Sequence, residues 1–208
     1  MIDRTPPDLD RPECKDCPTR IHQRVENIAL ERKYKEALKA ISRLSRTDTM
    51  TGLANKDRMY REIENHLEIY LRDKSIHCAV IFVDIDNFKE PNDRSHQLGD
   101  QLLVEFANFL QAEVRPGDIV ARFGGDEFFI LAPCTTKDEA ERLCGDMQAG
   151  LLRYRFAEPR EEPIYLTASM GVASTSEGLA TDVRTLVETA DSRMSEKKFQ
   201  RRASSRGK

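Results

Sequence analysis

The sequence predicts an α+β fold in which helices flank an antiparallel central sheet, and three observations support this. Residues 78–83 form a continuous apolar run with the length and β-branched content of a strand buried on both faces. Two strand-like segments flank the glycine pair at 124–125, which is a strong hairpin signal. Apolar residues alternate from Ile164 to Val172, as they do in a strand with one buried face.

The first 47 residues are expected to lie outside this fold. Residues 1–19 are rich in proline and charge and are predicted to form a disordered leader. Residues 20–47 contain neither glycine nor proline and are predicted to form a signalling helix. Its apolar residues recur at spacings of four and three, the pattern of a short coiled-coil seam: Leu30, Tyr34, Ala37, Ile41 and Leu44. Packing of this stripe on the chain's own domain and a dimeric coiled coil both fit the pattern.

Helical and strand-like segments then alternate through one domain, which we assign to residues 48–203. The predicted helices are 56–72, 97–113, 136–153 and 182–199, and the predicted strands are 77–84, the arms of a hairpin at 118–132, and 164–173. From the first strand onward the order is βαββαβ, which predicts the ferredoxin-like palm arrangement. Residues 204–208 are predicted to be a disordered basic tail.

Composition argues against several classes of protein. Charged residues make up 33% of the 208 residues and no apolar run approaches the length of a membrane span, so no membrane insertion is expected. No signal peptide follows Met1, and five cysteines without a disulfide framework favour a cytoplasmic location. Cys14 and Cys17 form a C-x-x-C that is either half of a metal or redox site or part of the leader.

The end of the chain is basic, with seven Lys or Arg against one Glu in residues 192–208. The rest of the chain is net acidic, and Phe199 is the only aromatic residue that interleaves the basic ones. Nucleic-acid binding is therefore not expected.

Two acidic segments are candidates for a functional site. Asp126 and Glu127 directly follow the glycine pair, so they are predicted at the tip of a hairpin, where carboxylates reach a ligand. Mg²⁺ prefers such oxygens and commonly brings phosphates with it. Taken alone, this motif is more typical of a solvated turn.

The second segment follows the buried strand, which ends in Asp84-Ile85-Asp86-Asn87-Phe88-Lys89. Acids at the end of a buried strand are costly unless they are paired or bound to metal. Asp86 or Asn87 could cap the next helix, whereas Asp84 lies inside the edge of the apolar run and is harder to explain that way.

Five motifs in order resemble the GGDEF family of diguanylate cyclases, which condense two GTP into cyclic di-GMP and release two pyrophosphates. They lie at 48–55, 84–93, 124–128, 167–173 and 190–202. The resemblance covers about three quarters of the chain. Two readings from other classes stay open, a GGDEF module that binds cyclic di-GMP or GTP without turnover, and a polymerase or adenylyl cyclase relative.

The resemblance implies a catalytic site with two Mg²⁺ or Mn²⁺ ions. Asp84 and Asp126 would bind metal through their side chains and Ile85 through its carbonyl oxygen. Glu127 would be a further ligand or the proton acceptor, and the sequence does not separate these roles.

The resemblance also implies the contacts with GTP. Phe88 and Lys89 open a helix whose N–H groups would hold phosphate, and Lys198 and Arg202 would neutralise the β- and γ-phosphates. Asn92 and Asp100 would bind guanine, because a carboxylate accepts from a donor pair that adenine lacks.

Some residues depart from the family pattern. Pro91 stands where an apolar residue is usual, and the loop 94–98 is one residue shorter. Ser195 and Arg201 replace the usual Tyr and Gly of the closing motif. None of these changes removes a predicted metal ligand or phosphate-binding cation.

The resemblance also implies regulation by product and assembly into a homodimer. Arg115 and Asp118 form an R-x-x-D six positions before Gly124 and resemble the family's inhibitory site for cyclic di-GMP, although Pro-Gly-Asp also makes an ordinary turn. Each domain would hold one GTP, so a homodimer is expected at the moment of reaction.

Overall fold

The structure is a computed structural model that describes residues 25–34, 46–157, 163–178 and 182–206, apart from the side chains of 202 and 204–206. The chain divides into two compact units, Met1–Leu44 and Ser45–Lys208. In the first unit, residues 25–34 form a helix whose large apolar side chains are exposed: Val25, Ile28, Leu30 and Tyr34. The predicted leader, Cys14, Cys17 and the remaining seam positions lie outside the described residues.

The second unit is built on a five-stranded sheet. Its strands are β1 (Ala54–Asn55), β2 (Cys78–Ile85), β3 (Ile119–Gly124), β4 (Glu127–Pro133) and β5 (Ala168–Ser174). They lie in the order β1-β3-β4-β2-β5. β2 pairs antiparallel with β4 and β5, β3 pairs antiparallel with β4, and the two-residue β1 runs parallel to β3. The predicted α+β palm fold is confirmed.

In the described part of this unit, the helices are α1 (Lys56–Arg72), α2 (Lys89–Arg94), α3 (His96–Glu113), α4 (Lys137–Leu151) and α5 (Val183–Arg206). Asn55 caps α1 by accepting from the Arg58 N–H at 2.9 Å, and a capping box of Thr136 and Glu139 begins α4. The last helix continues to Arg206, beyond the predicted end at 199.

The sheet is covered on both faces, which explains the continuous apolar run of β2. Ile81 and Val83 point into a core shared with Phe106 of α3, whereas Phe82 points into a second core with Met59 of α1 and with α5. Alternate residues of one strand therefore fill two different cores, as the period of two requires.

The hairpin turn lies one residue later than predicted. Gly124 is the last residue of β3 and pairs with Glu127, so the turn consists of Gly125 and Asp126. Gly125 has a φ of +57° and Gly124 a φ of +157°, conformations that glycine adopts without a steric penalty. Glu127 is consequently the first residue of β4 and is fixed by the sheet.

The predicted start of the last strand, at 164, is also wrong. Ile164 makes only an isolated bridge with Phe156, and the ladder begins where Ala168 pairs with Ile85 of β2. Residues 165–167 precede the first paired residue of β5 and lie beyond the last residue of β2, where the ladder between the two strands has ended.

Candidate active site

Asp84 is a buried carboxylate in β2, an interior strand of the sheet. It lies opposite Glu127 of β4 on one side and opposite Ser169 of β5 on the other. Directly opposed residues of antiparallel strands project from the same face of a sheet, so Asp84 and Glu127 are neighbours on the face that carries α5. The Asp84 side chain is 7% exposed. The structure thus brings the two acidic motifs of the sequence together.

Asp126 lies beside the same strand end. Its carbonyl oxygen accepts from the Ile85 N–H at 3.2 Å, which fixes the hairpin turn against the last residue of β2. The Asp126 and Glu127 residues are each half-buried. The predicted metal ligands Asp84, Ile85, Asp126 and Glu127 therefore share one edge of the sheet.

The acids of this edge repel one another. Burial raises the pKa of Asp84, Asp126 and Asp86 raise it further, and Lys198 opposes the shift. Burial likewise raises the pKa of Glu127, with added repulsion from Asp84, Asp126 and Asp191. Such a site carries negative charge that a bound cation would relieve.

Lys198 of α5 supplies one cation to this edge. Its Nζ donates to Oδ1 of Asp84, and the Lys198 side chain is 22% exposed. Within the described residues, no three side chains of His, Cys, Asp or Glu are arranged to hold a metal by themselves. The oxygen donors on this edge nevertheless suit Mg²⁺ or Mn²⁺, which prefer carboxylates and carbonyls.

The residues predicted to bind guanine lie on α2 and α3. Asn92 packs against Gly99, where a Cβ atom would lie only 2.3 Å from its Oδ1. Glycine at 99 therefore leaves the room that the Asn92 amide occupies, beside the exposed Asp100. Phe88 is buried in the core and Lys89 is exposed at the start of α2. The side chain of Arg202 lies outside the described part of the chain.

The proposed capping role of Asp86 or Asn87 is wrong. Phe88 occupies the N-cap position of α2 and makes no side-chain cap. Asp86 instead accepts hydrogen bonds from Thr167 and Ser169 and pairs with Arg201 of α5. The sequence did not predict this pair, because the partners are 115 positions apart in two different motifs, and no local pattern reports a contact between them.

Arg122, which the sequence did not indicate as a site residue, holds the hairpin turn of Gly125 and Asp126. Its guanidinium donates to the Gly125 carbonyl at 3.0 and 2.8 Å and reaches Asp48 at 3.4 Å. Burial raises the pKa of Asp48, but hydrogen bonds from Thr51 and the charge of Arg122 outweigh it and leave that pKa lowered. Asp48 belongs to the motif at 48–55, but Arg122 lies two positions before the motif at 124–128, so no predicted motif indicated their contact.

The R-x-x-D segment lies apart from this edge and forms both a turn and a cavity wall. The Asp118 N–H donates to the Arg115 carbonyl at 3.1 Å, and the Arg115 Nε lies 3.2 Å from Asp118 Oδ1. Arg115 also donates to Thr135 Oγ1 at 2.7 Å, yet its side chain is 56% exposed. A cavity of about 250 Å³ is lined by Arg115, Asp118, Thr135, Glu139 and Leu143, among others.

Comparison with known sequences identifies a family and several relatives of this chain. The sequence model described as "Diguanylate cyclase, GGDEF domain" matches residues 45–204. Cyclic di-GMP phosphodiesterase NbdA of Pseudomonas aeruginosa is 36% identical over 70% of this chain, and diguanylate cyclase DgcP of that organism is 33% identical over 62%. The matched segments cover only 18% and 19% of those proteins, so this chain corresponds to one part of each.

Solved structures show the same fold. The GGDEF domain of TpbB from Pseudomonas aeruginosa superimposes with a TM-score of 0.69 at 30% identity, over 74% of this chain and 89% of that one. The coiled coil and GGDEF domain of DgcB from Caulobacter crescentus, solved with c-di-GMP, gives 0.68 at 23% identity over 86% and 94%. No helix in the described part of this chain has the length and apolarity needed to cross a bilayer.

Proposed function

The chain belongs to the GGDEF domain family of diguanylate cyclases, and on that premise we propose that it condenses two GTP into cyclic di-GMP, releasing two pyrophosphates. One observation carries the proposal: the strand register sets Asp84 opposite Glu127, with Lys198 donating to Asp84. Carboxylates and a cation on one sheet edge match a reaction in which a hydroxyl attacks a phosphate and a charged group leaves.

The metal-binding part of the proposal rests on the oxygen donors of this edge. Asp84, Asp126, the Ile85 carbonyl and Glu127 would hold two divalent ions, Mg²⁺ or Mn²⁺. Such ions, when bound, lower the pKa of the ribose 3′-hydroxyl and neutralise the departing pyrophosphate. The raised pKa values of Asp84 and Glu127 support this, because each carboxylate is less favourable in the free protein than beside a cation.

The remaining residues of the proposed site bind and orient GTP. Lys198 would transfer from Asp84 to the phosphates, since the carboxylate oxygen that it now occupies is a proposed metal ligand. Arg202 lies one turn further along α5 and would reach the same phosphates. The backbone N–H groups at the start of α2, at Phe88 and Lys89, would bind a further phosphate group. Asn92 would contact guanine together with Asp100. Glu127 is either a ligand or the acceptor of the hydroxyl proton.

The proposal requires two copies of the chain. One domain holds one GTP, whereas the product joins two nucleotides in a ring, so two domains must face each other. The exposed apolar side chains of the helix at 25–34 support a coiled coil between two copies. Product inhibition through Arg115 and Asp118 would follow if cyclic di-GMP bound at the cavity beside them.

The direct test is incubation of the purified chain with GTP and Mg²⁺, with mass spectrometry of the product and a pyrophosphate assay. Cyclic di-GMP and two pyrophosphates per product are expected, and ATP in a parallel reaction should give no cyclic dinucleotide. Binding of GTP or cyclic di-GMP without turnover would favour the receptor module instead. Turnover of ATP would favour the polymerase or adenylyl cyclase relative.

A further inference from the structure

Two cation–carboxylate pairs join α5 to the end of the sheet. Lys198 donates to Asp84, and one turn later the Arg201 Nη1 lies 2.7 Å from Asp86 Oδ2 and 3.1 Å from the Ala168 carbonyl oxygen. The first pair belongs to the proposed catalytic site. The second has no role in the function proposed above.

Asp86 is held rigidly enough to serve as an anchor. Its two carboxylate oxygens accept from Thr167 Oγ1 at 2.9 Å and from Ser169 Oγ at 2.7 Å. Its own N–H donates to the Thr167 carbonyl at 2.8 Å, and its side chain is 12% exposed. Contacts from β5 and from the segment before it therefore fix the carboxylate that Arg201 binds.

Among the described side chains of α5, Met194 is the last buried apolar one, so the turns that follow it need another anchor. The buried stripe of this helix runs through Val187, Ala190 and Met194 at spacings of three and four. Lys198 and Arg201 continue the same stripe, but they contact the sheet through charged groups. A helix end without packed side chains frays readily, and a fraying end would not hold Lys198 in one direction.

We propose that Arg201 is a positioning residue: by binding Asp86 and the Ala168 carbonyl, it fixes the end of α5 so that Lys198 is aimed at the phosphates of GTP. This inference rests on the proposed function, since it takes GTP as the ligand of Lys198. Arg201 acts through Lys198 and does not itself contact the nucleotide. The alternative, direct phosphate binding by Arg201, makes a different quantitative prediction.

A thermodynamic cycle tests the inference by calorimetric titration of GTP and of GMP, with Ca²⁺ in place of Mg²⁺ to suppress turnover. Arg201→Ala should weaken GTP binding by roughly threefold to fivefold, which is the size expected for a partly exposed ion pair. GMP lacks the β- and γ-phosphates, so its affinity should stay within about twofold. If Arg201 acts through Lys198, the double variant with Lys198→Ala should bind GTP no more weakly than Lys198→Ala alone.

Three further variants sharpen the test. Asp86→Asn should reproduce the effect of Arg201→Ala, and Arg201→Lys should restore part of the GTP affinity. Arg184→Ala removes an exposed ion pair with Glu188 at the other end of α5 and should leave GTP binding unchanged. Amide hydrogen exchange in the last turns of α5 should be faster in Arg201→Ala than in the wild type.

The outcomes separate the inference from the function on which it rests. Additive losses in the double variant would show that Arg201 binds phosphate directly, and unchanged GTP affinity in Arg201→Ala would show that it does no positioning. Either result overturns the inference while wild-type GTP binding stands. A wild type that binds no GTP overturns the proposed function, and the inference with it.

Discussion

At the scale of the residue, Asp84 shows how a fold concentrates charge where a cation is wanted. Its carboxylate is buried, lies in the register position opposite Glu127 and is met by Lys198. Because its pKa is raised, its favourable contribution to folding exists below the carboxyl's ordinary pKa and is lost as the pH rises through the raised value. Ionisation of Asp84 therefore costs folding free energy, and Lys198 offsets only part of that cost.

The first prediction is that Asp84→Asn abolishes cyclic di-GMP formation while the protein stays folded. The amide preserves volume but removes the charge that a divalent ion needs. Because ionisation of Asp84 is disfavoured by burial and an amide oxygen can still accept from Lys198, the melting temperature should stay within about 4 °C of the wild type. Mg²⁺ should raise the melting temperature of the wild type but not that of the variant, because it binds only the folded wild-type site.

Glu68→Gln is the matched control, because it neutralises an exposed carboxylate on α1 that pairs with Arg72 on the surface of the same helix. It should keep full activity and the full response to Mg²⁺. Near-native turnover in Asp84→Asn, with normal melting, would overturn the metal assignment.

At the scale of the element, the sequence predicted what is encoded locally. The bounds of α1 agree with the prediction because Asn55 caps its first turn and no glycine or proline interrupts it. The start of β5 was misplaced because alternation at 164–166 continues beyond the end of β2. A periodic pattern records which residues face a core, and it does not record where the neighbouring strand stops.

The candidate site likewise has features that local sequence motifs predicted and features that they did not. The grouping of Asp84 with Glu127 followed from motif and strand order, and the structure places them opposite each other. The pairing of Asp86 with Arg201 depends on how α5 crosses the sheet, which no local pattern reports. Side-chain contacts between distant elements were therefore what the sequence could not supply.

Gly171 determines how closely α5 approaches the sheet. A Cβ atom there would lie 2.0 Å from the Ala190 carbonyl oxygen and 2.3 Å from the Met194 nitrogen, both backbone atoms. We therefore expect Gly171→Ala to push α5 outward and to lower the free energy of unfolding by about 1–3 kcal/mol or more. Activity should fall as well, since Lys198 lies one turn beyond Met194.

Urea unfolding of Gly171→Ala and Gly145→Ala makes the comparison. Gly145 lies in α4, and a Cβ there would meet no other part of the described chain within 4 Å, so alanine should raise stability by about 0.5–1 kcal/mol through helix propensity. A Gly171→Ala protein as stable and as active as the wild type would show that a Cβ atom fits between β5 and α5, contrary to this prediction.

At the scale of the whole molecule, the proposed reaction depends on bringing two domains together. The helix at 25–34 exposes Val25, Ile28, Leu30 and Tyr34, each at least 58% accessible. Burial of these exposed apolar side chains against a partner would be favourable, and a second copy of the same helix can supply the partner surface.

Deletion of residues 1–44 should therefore weaken the dimer without unfolding the second unit, which begins at Ser45. Specific activity at dilute enzyme should fall, and it should rise more steeply with enzyme concentration than in the full chain. Light scattering and activity measured over the same concentration range make the test. A truncated protein that stays dimeric and fully active would assign dimerisation to the second unit.

The last prediction concerns control of the whole molecule by its product. Arg115 is exposed beside a cavity. Asp118, whose side chain is 3% exposed, accepts hydrogen bonds from the Arg115 backbone N–H and Nε and so fixes this arginine. Guanidinium donors match the O6 and N7 edge of guanine, and a carboxylate accepts from its N1–H and amine. To bind product, Arg115 must give up contacts to Thr135 and Asp118 that it now makes, so affinity reflects an exchange of hydrogen bonds.

Arg115→Ala should raise the yield of cyclic di-GMP per enzyme and remove noncompetitive inhibition by added product, with KM for GTP unchanged. Arg94→Ala, which removes an exposed ion pair with Glu90, is the control for loss of a surface cation. Equal sensitivity to cyclic di-GMP in the wild type and in Arg115→Ala would leave this segment as a turn alone.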